Sequence, residues 1–158
     1  KNQETSYFFN FDVMQQTLGN EYAILVHLHP YINSKLIIHP KNSGFIYQAE
    51  RNYTIEELLI LADILITDYS SIIFDFSVLQ RPLAFFAKDL DTYKKERGFY
   101  YEFEEIVPGP IFDDSKELEQ GIKCVEFNLE AVAKFKERFL PNTDGKVSYR
   151  VVEEILHR

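Results

Sequence analysis

An α/β fold, a parallel sheet with flanking helices, is predicted by three features of this 158-residue chain. Short, wholly apolar runs that suit buried strands alternate with longer stretches whose apolar residues recur at helical spacing. The order strand, helix, strand over residues 64–87 requires a crossover connection, which implies parallel pairing and a right-handed turn of the chain. Finally, residues 61–79 set a polar knot, Thr67-Asp68-Tyr69-Ser70-Ser71, between two of the most apolar stretches of the molecule. The first of these is too short for a helix and the second is long enough for one, so the knot is a strand-to-helix turn.

The elements follow in order. Residues 10–18 read as a helix stopped near Gly19-Asn20, and residues 22–28 as a buried strand ending at His29-Pro30. Residues 44–48 give a second, shorter strand. Thr54-Ile55-Glu56-Glu57 is a capping box, and Ile55, Leu58, Leu59 and Ala62 follow the spacing that buries one helix face. A strand at 64–67, a helix at 71–79 and a strand at 82–87 complete the β-α-β unit. Residues 88–112 form a long aromatic and charged connection around Pro108-Gly109-Pro110, too long for a plain link, and long loops often carry function. Residues 116–127, 129–139 and 146–157 close the chain as helices, the last after the breaker Pro141-Asn142-Thr143-Asp144-Gly145.

Composition narrows the function. The length predicts one domain over residues 1–158, and 46% hydrophobic content supplies an ample core. A formal net charge of −8 argues against a nucleic-acid surface, which carries a basic stripe. The single cysteine, Cys124, forms no internal disulfide and no cysteine metal cluster, which fits a reducing cytoplasmic setting. No run approaches the roughly 18 apolar residues of a membrane span, and no signal-peptide pattern opens the sequence. The chain starts at Lys1 rather than methionine, and the expectation is a fragment of a longer protein.

The knot is a candidate phosphate site. A strand-to-helix turn lies at the carboxyl end of a strand, where open α/β sheets bind ligands, and the free N–H groups of the helix start favour an anion. Ser70 and Ser71 each carry a hydroxyl able to donate to a phosphoryl oxygen, whereas an ionised Asp68 only accepts, so it shapes the turn or meets a hydroxyl. Asp68, Ser71 and Asp75 fall at i, i+3 and i+7 and share a face. Flanked by Phe74 and Phe76, the Asp75 carboxylate is costly to bury and calls for a partner. The alternative with no ligand makes Asp68 the helix cap and lets Asp75 bond backbone or a hydroxyl.

His27-Leu28-His29-Pro30 is the second constellation. Alternation puts both histidines on one strand face, with His29 at the carboxyl end, on the sheet rim that carries the knot. A histidine there donates to phosphate or acts as acid or base; the alternative is a core histidine bonded to a carbonyl. His39-Pro40 reads as loop. With no third ligand at helical spacing, His27 and His29 do not make a zinc site, and no metal is expected. The sequence has no G-x-G-x-x-G, G-x-x-x-x-G-K-[ST] or G-x-S-x-G, which removes the main support for dinucleotide, P-loop and α/β-hydrolase readings.

Leu28-His29-Pro30, residues 57–76 with the block Ile66-Thr67-Asp68-Tyr69-Ser70-Ser71 and Phe74-Asp75, Arg81-Pro82, Arg97-Gly98-Phe99-Tyr100, Pro108-Gly109-Pro110 and Asp144-Gly145-Lys146 together resemble the C-terminal half of CDP-glycerol glycerophosphotransferases, the teichoic acid primases and polymerases of bacteria. The resemblance runs in order over about residues 18–156 and implies a Rossmann-like domain, the C-terminal half of a GT-B fold, binding an activated donor in the cleft between two halves. It implies that His29, the candidate catalytic residue, meets the donor pyrophosphate with Ser70 and Ser71. Thr67, Asp68 and Asp75 complete the substrate-binding set, the two aspartates fixing the loop or meeting donor hydroxyls. Family members often have arginine where this chain has His27, which removes one permanent charge near the phosphates. The family's N-terminal half, with a histidine commonly regarded as the catalytic base, has no counterpart here.

The implied reaction is attack of an acceptor hydroxyl on the glycerol-bearing phosphorus of CDP-glycerol, with departure of CMP and no cofactor. The partners are the donor, a polyol phosphate or lipid-linked acceptor, and the missing half of the same enzyme, working in the cytoplasm at the inner face of the cell membrane. Phe99, Tyr100, Tyr101 and Phe103 either line an acceptor groove or cover the core. Two alternatives stay open: a related GT-B transferase using CDP-ribitol or a nucleotide sugar, and a non-catalytic module that binds nucleotide or polymer.

Overall fold

A computed structural model describes residues 9–28, 36–49, 52–124 and 126–157. Helix α1 (Phe11–Leu18) leads into β1 (Ile24–Val26), a 3₁₀ turn at Pro40–Asn42 and β2 (Ile46–Gln48). Then come α2 (Ile55–Leu61), β3 (Leu65–Thr67), α3 (Ile72–Ser77) and β4 (Leu83–Phe86). Helices α4 (Leu90–Glu96) and α5 (Phe103–Ile106), strand β5 (Ile111–Phe112), and helices α6 (Ser115–Cys124), α7 (Leu129–Phe139) and α8 (Val147–Leu156) follow. Among the described residues every strand pairing is parallel: β1 with β2 in one sheet, and β3-β4-β5 in a second with β4 central.

Strand β4 explains the layering. Leu83, Ala84 and Phe85 are each 0% exposed, as a parallel strand covered on both faces requires. Alternation sends Leu83, Phe85 and Ala87 into a core with Ile73 and Phe76 of α3, Phe103 of α5 and Val132 and Phe135 of α7. Ala84 and Phe86 face the other way, toward Met14 and Leu18 of α1 and Leu118 and Ile122 of α6. Ile24, Val26 and Ile46 of the first sheet join that second core, so both sheets share one helical layer.

Local chemistry sets the boundaries. Asn10 caps α1 by accepting from the Val13 N–H (3.3 Å). The capping box of α2 closes in both directions, Glu57 N–H to Thr54 Oγ1 (3.3 Å) and Thr54 N–H to Glu57 Oε2 (2.8 Å). At the other end of α2, Arg81 Nη1 donates to the carbonyls of Ile60 and Ala62, both at 2.7 Å, so Arg81 satisfies carbonyls that the helix leaves open. Gly109 lets β5 approach β4: a Cβ there would lie 2.0 Å from the Leu83 carbonyl oxygen. The ladder just beyond it runs from Phe85 N–H to Pro110 O (2.9 Å) and from Ala87 N–H to Phe112 O (2.8 Å).

Two expectations are corrected. The stretch expected as a buried strand over 22–28 is strand only at Ile24–Val26, and Leu25 is 43% exposed, because its outward face carries no covering helix among the described residues. The connection at 88–112 is not a loop but holds α4, α5 and β5. Helix α4 buries no residue and α5 has four residues, so neither writes an apolar period into the sequence. Strand β5 has two residues and exists through its pairing with β4.

Candidate functional site

The polar knot is the turn between β3 and α3, as its flanks predict. Strand β3 pairs with the buried β4 in the register Leu65↔Leu83, Ile66↔Ala84 and Thr67↔Phe85, and half-buried Thr67 is its last residue. Beyond it Asp68, Ser70 and Ser71 are exposed while Tyr69 turns inward. Ser71 occupies the position before α3 in helical conformation (φ −65°, ψ −9°) and makes no side-chain cap. Ser70 Oγ accepts from the Ile72 N–H (3.4 Å), a use of its lone pair that leaves the hydroxyl proton free to donate outward.

The reading of Asp68 as the cap of α3 is therefore not the one the structure adopts. The demand for an Asp75 partner also lapses. Asp75 is exposed, on the face opposite buried Ile73, Phe76 and Ser77, so solvent meets its charge and no burial cost arises. Asp68, Ser71 and Asp75 are all exposed, but α3 begins only at Ile72, so Asp68 lies in the turn before the helix and helical spacing does not put it on one face with Asp75.

His27 is exposed just past the end of β1. His29, with Pro30, lies outside the described residues. His39 accepts through Nδ1 from the Lys41 N–H (3.4 Å) and begins the Pro40–Asn42 turn, the loop role expected of it. Among the described residues, no group of three or more His, Cys, Asp or Glu side chains is placed to hold a metal ion.

Tyr69 is what sequence reasoning passed over. Its hydroxyl donates to Asp89 Oδ1 (2.8 Å), and its ring stacks on Tyr93 of α4 with centroids 4.1 Å apart and planes 28° apart. Phe99 and Phe103 complete the cluster at 5.7 and 5.4 Å. Burial, then the hydrogen bond to Asp89, push the Tyr69 phenol well above the usual tyrosine range, and the negative charge of Asp68 adds to the effect. The available signal was an aromatic residue in the middle of a polar run; its partners lie twenty and more positions later. The same cluster divides the aromatic residues read as either acceptor groove or core. Phe103 is buried and Phe99 packs with it, whereas Tyr100 is fully exposed and Tyr101 is half-exposed beneath the Arg138 guanidinium, 5.3 Å from the ring centroid.

Comparison with known proteins gives the relationship. A teichoic acid poly(ribitol-phosphate) polymerase of Bacillus spizizenii is 37% identical over 147 residues, covering 93% of this chain and 24% of its own length. A teichoic acid glycerol-phosphate transferase of Staphylococcus aureus is 35% identical over 161 residues, covering 96% of this chain and 41% of its own. Among solved structures, the wall teichoic acid polymerase TagF superimposes with a TM-score of 0.78 at 34% identity, over 92% of this chain and 36% of that one. The Rossmann-like α/β fold, of the C-terminal GT-B type, is thereby shown. The chain spans well under half the length of these relatives. Residues 2–157 match the family described as CDP-Glycerol:Poly(glycerophosphate) glycerophosphotransferase, and the chain belongs to that family.

Proposed function

We propose that this chain is the donor-binding half of a glycerophosphotransferase that moves glycerol phosphate from CDP-glycerol to a polyol phosphate or lipid-linked acceptor, releasing CMP, in the synthesis of teichoic acid or a related cell-surface polymer. The observation that carries the reading is the exposed Ser70-Ser71 pair at the carboxyl end of β3, within the sequence block through which the chain resembles its family. A variant of the TagF polymerase soaked with CDPG is among the structures similar to this chain, at 32% identity and a TM-score of 0.78.

In this reading the hydroxyls of Ser70 and Ser71 donate to the donor pyrophosphate, and His29 adds a third donor and, when protonated, positive charge. Thr67 and Asp68 shape the turn, and Asp68 or Asp75 accepts from hydroxyls of the donor. The acceptor oxygen forms its bond to the glycerol-bearing phosphorus as the bond from that phosphorus to the CMP oxygen breaks. The acceptor's proton passes to a base supplied by the rest of the enzyme. Phosphoryl transfer is mostly positioning and charge stabilisation, the contribution asked of this half. The enzyme works in the cytoplasm, at the inner face of the membrane that holds its acceptor; no helix among the described residues is long and apolar enough to cross a membrane.

Calorimetry on the complete enzyme tests the site. Ser71→Ala should weaken CDP-glycerol binding by roughly 1 to 3 kcal/mol, the cost of losing a hydrogen bond to a charged group. Unchanged affinity with an intact circular dichroism spectrum overturns the assignment. CDP-ribitol remains the second reading because a poly(ribitol-phosphate) polymerase is 37% identical to the chain. Titrating CDP-glycerol, CDP-ribitol and a UDP-sugar in parallel decides the donor.

A further inference from the structure

We infer that Tyr69 and Asp89 form a latch that positions the Ser70-Ser71 turn for its ligand, making Tyr69 a positioning residue of the donor site; the inference rests on the reading of that turn as the pyrophosphate site. Three observations carry it.

Tyr69 lies between the exposed Asp68 and the exposed Ser70, yet its own side chain is half-buried and packed against the core. A residue held in place there fixes the backbone from which both serine hydroxyls project. The fixing contact is a hydrogen bond from its hydroxyl to Asp89 Oδ1 at 2.8 Å, reinforced by the stack on Tyr93 and the flanking Phe99 and Phe103. Second, Asp89 occupies the position that caps α4, and an aspartate there ordinarily accepts from the first turn of its own helix. It makes no such bond, and its carboxylate goes to Tyr69 instead. Third, the latch joins the turn to the segment containing α4 and α5, where three aromatic residues pack as one group: Tyr93 with Phe99 at 5.2 Å, and Phe99 with Phe103 at 5.2 Å. Phe103 in turn meets Phe85 of the central strand edge to face, at 5.6 Å and 90°. The turn is thus braced from beneath by β4 through Phe103 and from the side by Asp89.

Tyr69→Phe removes one oxygen and keeps the ring stack, so packing is retained while the latch opens. In the complete enzyme this variant should raise the KM for the CDP-linked donor about three- to tenfold, the scale of one hydrogen bond. The kcat should stay within about twofold and the melting temperature within about 3 °C. Asp89→Asn keeps an oxygen that accepts from the tyrosine and should restore a near-normal KM, while Asp89→Ala should reproduce the Tyr69→Phe value. Combining Tyr69→Phe with Asp89→Ala should add nothing further, since both remove one contact. Ser71→Ala, measured alongside, separates the two ideas. If Ser71→Ala raises the donor KM and Tyr69→Phe does not, the latch alone is overturned. If Ser71→Ala leaves KM unchanged, the donor site is misplaced and the latch falls with it. A lowered melting temperature with unchanged KM in Tyr69→Phe marks a purely structural contact and also overturns the proposal.

Discussion

Glu119 is a polar side chain in the wrong place for stability. It is 2% exposed within α6, and its Oε1 finds no hydrogen-bond partner. Burial first, and the charge of Asp114 second, raise its carboxyl above the ordinary 4.5, with Lys116 opposing. An acid whose pKa is raised by folding favours the neutral form, so stability is lost as pH climbs from 4.5 through the folded value. Glu119→Gln should therefore raise the melting temperature at pH 7, and the gain should shrink as the pH falls toward 4.5, measurable in thermal melts across that range. An equal gain at both pH values would contradict burial of a charge as its cause. Gly109 makes the opposite case, a small residue that nothing can replace. A Cβ there would lie 2.0 Å from the Leu83 carbonyl oxygen, so Gly109→Ala should cost about 1–3 kcal/mol in denaturant unfolding. The role proposed for His29 predicts that His29→Ala in the complete enzyme cuts turnover at least about tenfold while moving the melting temperature only a few degrees.

Among the elements, α2 is held at both ends by side chains rather than by its own propensity. Thr54→Ala should cost about 1 kcal/mol by opening the capping box. Arg81→Ala should cost a similar ~1 kcal/mol or more by releasing the carbonyls of Ile60 and Ala62, and Arg81→Lys should recover only part of it. Chemical denaturation of the two single variants and the double would show near-additive losses, since the contacts sit at opposite ends of the helix. The capping box was legible because its signal is confined to residues 54–57. The arginine cap was not, because Arg81 is 19 residues from Ala62 in the chain and meets it only when β3 and β4 pair.

For the whole molecule, the coverage of relatives sets the expectation. The chain accounts for 36% of the TagF chain it superimposes on, and the remainder of such an enzyme is where the base and the acceptor contacts are expected. The isolated 158-residue chain should therefore show no transfer from CDP-glycerol to a polyol phosphate acceptor, measured as CMP release, while the complete enzyme does. Robust turnover by this chain alone would overturn the division of labour between the two halves.

The class of fold, the positions of the long helices and the strand-to-helix turn were legible in the sequence, because apolar periodicity, capping residues and the Thr67–Ser71 knot are local signals. It also carried the family, through a block of adjacent residues. Tertiary structure alone decided that Asp75 faces solvent, that the 88–112 segment folds into α4, α5 and β5, and that Tyr69 reaches Asp89. Each of these depends on which surfaces meet. A carboxylate between two phenylalanines is buried or free according to the face its helix turns inward, and a two-residue strand exists only against a partner. Contacts between residues far apart in the chain leave no periodic trace in it, since their spacing is set by the path of the sheet rather than by the pitch of a helix.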